Sequence, residues 1–357
     1  MTKTIVDVLV VGAGQSGLGA GYYLQKADVS YLIVDSAAAI GDSWRNRWDS
    51  LRLFTPKLYA TLPGTLFARS ADFYPTKNQM ADYLEAYATD LDLNVQLNSR
   101  VERIVKNNDG FVASIGSDTV HAKNIIIATG PFQTPFVPDF ADALGAHIEQ
   151  IHSSAYDNAA SISGRRVVVV GGGNSAAQIA VELADKYDVT ITTSRKPRFI
   201  PKEIYGISIY HFLSFFRILS SSKHSWISRI LRKRPESIIG TELKKGISAA
   251  RVKLVPERVV DCTKDGVVTL SGRTIAADHV IWATGFRPSY DYIDIDGSLD
   301  RNGAPILVDS NSDIKGLYWL GLPWQFRLDS SIVHGVNRDA RQVCAEILQA
   351  QPDVILK

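Results

Sequence analysis

A strand, a glycine-rich turn, a helix and a second strand follow one another within the first 35 residues. Residues 6–11 (VDVLVV) predict a buried strand, and residues 12–17 (GAGQSG) follow it directly. The helical phase of residues 18–26 leads to a second apolar run, residues 29–34, and Asp35 follows that run. This order is typical of a βαβ unit that binds a dinucleotide, so it constrains the chain to an α/β fold from its start.

Three glycines and one acid have separate roles in such a unit. Gly12 permits the tight turn, Gly14 allows a pyrophosphate to approach the backbone, and Gly17 lets the helix pack close to the strand. The start of the helix presents unpaired N–H groups and about half a positive charge to phosphates. Asp35 is placed to accept hydrogen bonds from a ribose. We therefore predict a dinucleotide site rather than a merely flexible glycine turn.

The same unit occurs a second time in the middle of the chain. Residues 165–170 predict a strand, residues 171–176 (GGGNSA) a second glycine-rich turn, and residues 189–193 the closing strand. An apolar strand that ends in Ala-Thr-Gly also occurs twice, at residues 123–130 and 278–285. The sequence therefore predicts an α/β fold of two nested Rossmann-like dinucleotide-binding domains.

The C-terminal segment indicates how the two domains are connected. Residues 316–321 predict one more core strand, and residues 330–348 predict a terminal helix. Because the first domain still needs strands and a helix to close it, we assign this tail to the first domain. The predicted domains are residues 1–157 with 286–357, and residues 158–285 with an insert at about residues 199–251.

The two units differ at the end of their second strand. The first ends in Asp35, which favours a ribose with a free 2′-hydroxyl, whereas the second continues into Ser194 and Arg195. Arginine and serine bind a 2′-phosphate that an acid would repel. Charge-assisted hydrogen bonds of this kind contribute about 1.5–3 kcal/mol each. The second site is therefore predicted to prefer NADPH over NADH; the alternative is a solvated basic turn after an edge strand.

The composition argues against several other classes of protein. With 39 basic and 37 acidic residues among 357, the formal net charge is only +2, which disfavours nucleic-acid binding. Cys262 and Cys344 form no CxxC pair, which disfavours a disulfide scaffold, a thiolate metal site and a dithiol redox centre. The seven histidines follow no metal-ligand pattern, so no metal is predicted. The N-terminus lacks the features of a signal peptide, so we expect a cytoplasmic protein.

Two irregular segments allow two interpretations each. Residues 41–53 combine glycine, tryptophan and arginine, which predicts either a wall that stacks on a flat ring system or a loop pinned by buried tryptophans. Residues 207–219 are apolar and aromatic, and residues 223–234 are basic with interleaved apolar side chains. The apolar run is too short to span a membrane. We favour a cap on the substrate side with a solvated basic face over contact with an anionic membrane surface.

Taken together, these motifs resemble the flavin-containing monooxygenases, above all their bacterial relatives and the plant flavin monooxygenases of auxin synthesis. The likeness rests on both glycine-rich turns, both Ala-Thr-Gly strands, residues 41–44 (GDSW) and the loop of residues 48–57 (WDSLRLFTPK). Residues 152–156 (HSSAY) resemble the end of the family signature FxGxxxHxxxY, with Ala146 and Ile148 in place of its phenylalanine and glycine. The resemblance implies FAD in the first domain and NADPH in the second.

The resemblance also implies a set of cofactor-binding residues. Val101 would contact the adenine through its backbone, Thr129 and Gly130 would lie along the pyrophosphate, and Gln325 would reach the flavin ring. The residues implied for FAD are Gly12, Gly14, Gln15, Ser16, Gly17, Asp35, Ser36, Trp44, Arg45, Val101, Thr129, Gly130 and Gln325. Those implied for NADPH are Gly171, Gly173, Asn174, Ser175, Ser194 and Arg195.

The activity implied is that of a monooxygenase. Hydride from NADPH reduces the flavin, oxygen adds to it, and the resulting flavin hydroperoxide transfers one oxygen atom to a small-molecule substrate. This chemistry needs no side-chain acid or base, so no catalytic residue is predicted. Phe54 stands where animal members carry an asparagine that is linked to oxygen handling. The alternatives are an NADPH-dependent ferredoxin or quinone reductase and a non-catalytic nicotinamide sensor, and a homodimer is left open.

Overall fold

The computed structural model describes residues 2–234 and 237–350. Its helices are α1 (Gln15–Lys26), α2 (Asp42–Arg45), α3 (Lys77–Asp90), α4 (Asn174–Leu183), α5 (Ile209–Phe215), α6 (Trp226–Arg232), α7 (Glu242–Ser248) and α8 (Val333–Gln349), with 3₁₀ turns at Lys57–Tyr59, Asp139–Ala143 and Ala159–Ser161. Its strands are β1 (Lys3–Val11), β2 (Tyr31–Val34), β3 (Val95–Gln96), β4 (Arg103–Asn107), β5 (Gly110–Ile115), β6 (Asp118–Ile127), β7 (Thr134–Pro135), β8 (Glu149–His152), β9 (Arg166–Val170), β10 (Asp188–Thr192), β11 (Phe199–Ile200), β12 (Glu203–Ile204), β13 (Ile207–Ser208), β14 (Ile238–Ile239), β15 (Val252–Val255), β16 (Val259–Thr263), β17 (Gly266–Thr269), β18 (Thr274–Ala276), β19 (His279–Trp282), β20 (Phe286–Arg287), β21 (Ile293–Asp294) and β22 (Leu317–Trp319).

The first sheet is built from both ends of the chain. Its strand order is β21-β4-β5-β6-β1-β2-β3, and β22 pairs in parallel with the last residues of β6. The predicted C-terminal strand therefore joins the first sheet. The predicted terminal helix, α8, packs on α1, where the Cys344 thiol lies 3.7 Å from the carbonyl of Ala20. An N-terminal and a C-terminal segment thus close one core together.

The second sheet is parallel throughout, in the order β15-β10-β9-β19-β8, and an antiparallel meander β16-β17-β18 accompanies it. Strand β8 pairs with β19, and Ala141 and Ile148 pack in the same apolar cluster as Trp282. A strand that precedes the predicted boundary after residue 157 thus pairs with the second sheet, and the domain bounds themselves stay a prediction. The chain crosses between the units at the antiparallel ribbon of β7 and β20.

The predicted repetition is visible in the backbone at corresponding glycines. Gly12 and Gly171 follow the first strand of each unit with φ of +107° and +151°, a region that favours glycine. A Cβ atom on either would come within 3.0 Å of an alanine carbonyl oxygen, that of Ala128 or that of Ala283. Both alanines begin the Ala-Thr-Gly turns, so each unit brings its glycine-rich turn against its own Ala-Thr-Gly segment.

The segment between β10 and α7 forms a cap, which we define as residues 199–234. The predicted insert ran to residue 251, but α7 packs on α4 and leads into β15, so both belong to the second sheet's regular fold. On its inner side the cap contacts the first unit, a term we use from here on for the part of the chain that is built around the first sheet. The amide of Lys223 donates to the carbonyl of Phe326 at 3.0 Å, and the rings of Tyr210 and Tyr59 lie 5.9 Å apart. These contacts support the interpretation as a cap.

Candidate functional site

The first candidate site is the turn between β1 and α1. Among the described residues no side chain caps the start of α1, so its first N–H groups face outward from the turn. A Cβ atom at Gly14 would meet no described atom within 4 Å, which leaves open space beside the backbone. A Cβ atom at Gly17 would overlap the carbonyl oxygen of Gly12. The turn thus combines close helix packing with an open face that fits a pyrophosphate. Gln15 and Ser16 supply the first helical residues of this face.

Asp35 is held in place at the end of β2. Its two carboxylate oxygens accept hydrogen bonds from the amides of Ala13, at 2.6 Å, and Ala37, at 2.8 Å. A carboxylate has about four acceptor positions, so two amides leave room for ribose hydroxyls. Ser36 beside it is exposed, and Val101 is buried in the apolar cluster that contains Val34. The carboxylate is therefore oriented at the edge of the site before any ligand is present.

The Ala-Thr-Gly turn after β6 lies at the same edge of the sheet. The side-chain nitrogen of Gln133 donates to Thr129 Oγ1 at 2.7 Å and to the carbonyl of Gly130 at 2.9 Å. The side-chain oxygen of Gln133 accepts from the backbone amide of Ser289. Gly321, just after β22, is packed on Ser16 so closely that a Cβ atom there would overlap its hydroxyl. The ends of three parallel strands thus converge at one site. Neither Gln133 nor Gly321 was predicted, because their roles depend on contacts between distant segments.

The tryptophan–arginine loop is braced against α3. Arg45 donates to the carbonyl of Ile40 at 2.7 Å and forms ion pairs with Asp82, at 2.9 Å, and Glu85. Its charge is thus balanced by two carboxylates, and its predicted contact with FAD stays a prediction. Trp44 is half-buried, packed on the first unit's core, and retains an accessible part of its surface. Trp48 is buried. Of the two tryptophans, only Trp48 therefore anchors the loop as the interpretation of a loop pinned by buried tryptophans requires.

Gln325 does not present its side chain to the outside of its loop. Its amide nitrogen donates to the carbonyls of Trp319, at 2.5 Å, and Ser310, at 3.0 Å. Its oxygen accepts from the amide of Leu322 at 3.3 Å, and the residue is buried. The side chain is thus hydrogen-bonded within its own loop, and its predicted reach to the flavin ring stays a prediction.

The second candidate site repeats the first with a different polar edge. Helix α4 begins after Gly173, again without a side-chain cap among the described residues, and Ser175 in its first turn is half-buried. The side chain of Asn174 accepts from the amide of Ile239 at 2.8 Å, which ties the start of α4 to the strand beyond the cap. Ser194 and Arg195 are exposed after β10. No carboxylate in the described ranges pairs with Arg195, so its guanidinium is available to a phosphate.

Arg47 and His152 occupy the junction between the two units. The guanidinium of Arg47 lies 5.3 Å from the ring of Phe286, and burial lowers the pKa of this arginine. The imidazole Nε2 of His152 lies 2.9 Å from the carbonyl of Gly285, and burial lowers the pKa of this histidine. The motif residue His152 thus supports the second Ala-Thr-Gly turn. Arg47 was not singled out from the sequence, although it brings a half-buried guanidinium next to Phe286.

Comparison with known proteins agrees with this geometry. The family model described as pyridine nucleotide-disulphide oxidoreductase matches residues 9–212. A protein of Geobacillus kaustophilus named uncharacterized oxidoreductase CzcO-like is 40% identical over 344 residues, which cover 96% of this chain and 99% of that protein. The probable indole-3-pyruvate monooxygenase YUCCA3 of Arabidopsis thaliana is 28% identical over 345 residues, 83% of this chain and 78% of that protein.

A solved structure extends the likeness to the whole fold. The flavin-containing monooxygenase from Stenotrophomonas maltophilia superposes with a TM-score of 0.82 at 27% identity, covering 97% of this chain and 99% of that one. These findings confirm the predicted fold class and the predicted enzyme class, an oxidoreductase that uses FAD and NADPH. The chain belongs to the pyridine nucleotide-disulphide oxidoreductase family, and its predicted resemblance to the flavin-containing monooxygenases is confirmed.

Proposed function

We propose that this protein is an NADPH-dependent flavoprotein monooxygenase that inserts one atom of molecular oxygen into a small molecule. The observation that carries the proposal is the pairing of two dinucleotide cradles in a chain without a dithiol. The two cysteines are buried and belong to different units, so they offer no disulfide to reduce. Bound FAD supplies the redox chemistry, because it accepts hydride and reacts with oxygen.

The protein's own residues bind, orient and exclude water. In the first unit the start of α1 would hold the pyrophosphate of FAD and Asp35 would bind its ribose. In the second, Ser194 and Arg195 would bind the 2′-phosphate of NADPH. These residue assignments remain part of the proposal. They divide the work so that one cofactor stays bound and the other exchanges.

The cap supplies the dry surroundings that oxygen transfer requires. Its Tyr210 and Leu219 are buried against Tyr59 of the first unit, and Phe54 packs on the same cluster. A water-excluding wall of this kind protects reactive intermediates from hydrolysis and from unproductive proton transfer. The names of the related proteins, an indole-3-pyruvate monooxygenase and a flavin-containing monooxygenase, favour a small organic substrate. A cytoplasmic location and a homodimer stay predictions.

Isotope labelling tests the proposal directly. The FAD-loaded protein is supplied with NADPH and ¹⁸O₂ together with a panel of thioethers, ketones and 2-oxo acids. We expect one ¹⁸O atom in the product and a matching consumption of NADPH. If instead all consumed oxygen is recovered as hydrogen peroxide for every substrate, while ferredoxin or a quinone is reduced rapidly, the protein is a reductase. A purified protein that takes up no flavin would contradict both functions.

A further inference from the structure

Several large apolar side chains of the cap are exposed to solvent. Phe215 and Phe216 at the end of α5 are 81% and 65% exposed, and Trp226 at the start of α6 is 71% exposed. Tyr205, Ile207 and Ile230 are exposed in the same segment. We call these six side chains the outer face. Trp226 and Ile230 are four residues apart on α6, so they project from one side of that helix.

The outer face is not a sign of loose packing, because the inner side of the same helices is well buried. Tyr210 of α5 and Leu219 behind it are buried against the first unit, and Ser228 in the middle of α6 is fully buried. The amides of Lys223 and Leu328 tie the link between the two helices to the first unit. The cap is thus anchored to the first unit through buried contacts, while other large apolar side chains of the same segment are exposed.

The charge of the cap is strongly positive, and Glu203 near its start is its one acidic residue. Residues 204–234 contain Arg217, Lys223, Arg229, Arg232, Lys233 and Arg234 and no aspartate or glutamate. Two of these cations contact the first unit: Lys223 lies 3.3 Å from Asp309, and Arg232 lies 5.9 Å from the ring of Trp324. The other four are exposed and form no ion pair with any residue of the described chain. Exposed aromatic side chains therefore lie among uncompensated positive charges.

We propose that the outer face binds the surface of a membrane that contains anionic lipids. Aromatic and aliphatic side chains insert at the boundary between headgroups and acyl chains, and neighbouring arginines and lysines contact the anionic headgroups. Over residues 2–234 and 237–350, no helix is both long and apolar enough to cross a membrane. The sequence favoured a solvated basic face, with membrane contact as the alternative, and the exposure of Phe215, Phe216 and Trp226 leads us to propose that alternative.

Charge favours a lipid surface over a protein partner. A protein interface uses charges of both signs, whereas a segment whose cations far outnumber its anions matches a uniformly anionic plane. The cap's own first-unit contacts occupy only its inner side, so membrane contact leaves the cofactor sites untouched. Membrane binding by the outer face therefore does not depend on the proposed monooxygenation.

Vesicle flotation with the full-length, FAD-loaded protein tests the inference. We expect binding to phosphatidylcholine vesicles that contain phosphatidylglycerol, weak binding to phosphatidylcholine alone, and release by high salt. The triple variant Phe215→Ser, Phe216→Ser, Trp226→Ser should lower the partition coefficient at least about a hundredfold. Replacing Arg217, Arg229 and Lys233 by glutamine should lower it by about fivefold per residue. The matched control Leu270→Ser removes an equally exposed apolar side chain from the second unit and should change nothing.

Two results would overturn the inference. One is equal binding of the wild type and the triple variant to anionic vesicles, provided that both retain their flavin and are therefore folded. The other is a wild-type dimer that becomes monomeric in the triple variant while neither binds vesicles. That second result would assign the outer face to contact between two copies of the chain.

Discussion

The two dinucleotide units share a backbone and differ at their edges. In both, a glycine presses against the alanine of an Ala-Thr-Gly turn, and in both the following helix starts without a side-chain cap. Asp35, however, is fixed by two amides in the first unit, whereas Arg195 is exposed and unpaired within the described chain in the second. The shape that binds a dinucleotide is thus duplicated, and the choice of cofactor depends on a few side chains.

The units also differ in how completely they are enclosed. The first is covered by α8, by Gly321 on the start of α1 and by the loop that contains Trp44. The second is open at the turn after β10, where Ser194 and Arg195 are exposed. This difference suits a cofactor that stays bound in the first unit and one that exchanges in the second. Variants at equivalent positions can test the comparison.

The largest effect is expected at the helix–strand contact of the first unit. Gly17→Ala places a Cβ atom against the carbonyl of Gly12. Because this carbonyl belongs to the backbone, it cannot move away without distorting the turn. We expect the free energy of unfolding to fall by about 3 kcal/mol or more, as measured by urea denaturation. Gly14→Ala is the matched control, since its Cβ atom enters open space. It should leave the apoprotein nearly as stable but weaken FAD binding, and equal instability of the two variants would contradict this account.

A smaller effect is expected at the ribose edge of the first unit. Asp35→Ala removes the acceptor for the amides of Ala13 and Ala37 as well as the predicted ribose contact. We expect FAD affinity to fall roughly a hundredfold, about 2.7 kcal/mol, in fluorescence titrations of the apoprotein. Ser36→Ala, which alters the exposed neighbour, should change the affinity far less. Similar losses of FAD affinity in both variants would contradict the predicted contact between Asp35 and the ribose.

The corresponding change in the second unit should affect one cofactor only. Arg195→Ala removes the cation proposed to bind the 2′-phosphate, so we expect NADPH to bind roughly tenfold more weakly, about 1.4 kcal/mol, while NADH binding is unchanged. Steady-state kinetics with the two nucleotides measures the ratio of the kcat/KM values. Lys196→Ala provides the control for a general loss of positive charge. A parallel loss for NADH and NADPH in Arg195→Ala would show that the basic turn does not read the phosphate.

The local features of both units could be predicted from the sequence. A buried strand, a glycine turn and a helix are encoded within a few residues, so β1, α1 and α4 lie close to where the pattern predicted them. The assignment of β22 and α8 to the first unit also followed from the sequence, because a partly built sheet needs further strands. Such inferences depend on neighbours in the chain or on general rules of topology.

Contacts between distant segments could not be predicted in this way. The short strand β8 is recognisable only through β19, its partner far along the chain, so the sequence did not indicate that it joins the second sheet. Gln133 acquires its role by joining Thr129 to Ser289, and Arg47 by lying next to Phe286. The exposure of Phe215 and Trp226 likewise depends on which side of the cap packs on the first unit.

The smallest predicted effect distinguishes the two sheets by their response to acid. His279 in β19 is buried, burial lowers its pKa, and the nearby carboxylate of Glu149, 3.5 Å away, opposes that shift only partly. The unfolded chain then binds the proton more tightly than the folded one, so stability is fully present above about pH 6.5 and declines as the pH falls further. His279→Gln should flatten this decline in urea denaturation between pH 8 and pH 5. Above pH 7 the difference between wild type and variant should stay constant, and an unchanged slope below that pH would show that other groups govern the acid sensitivity of the second sheet.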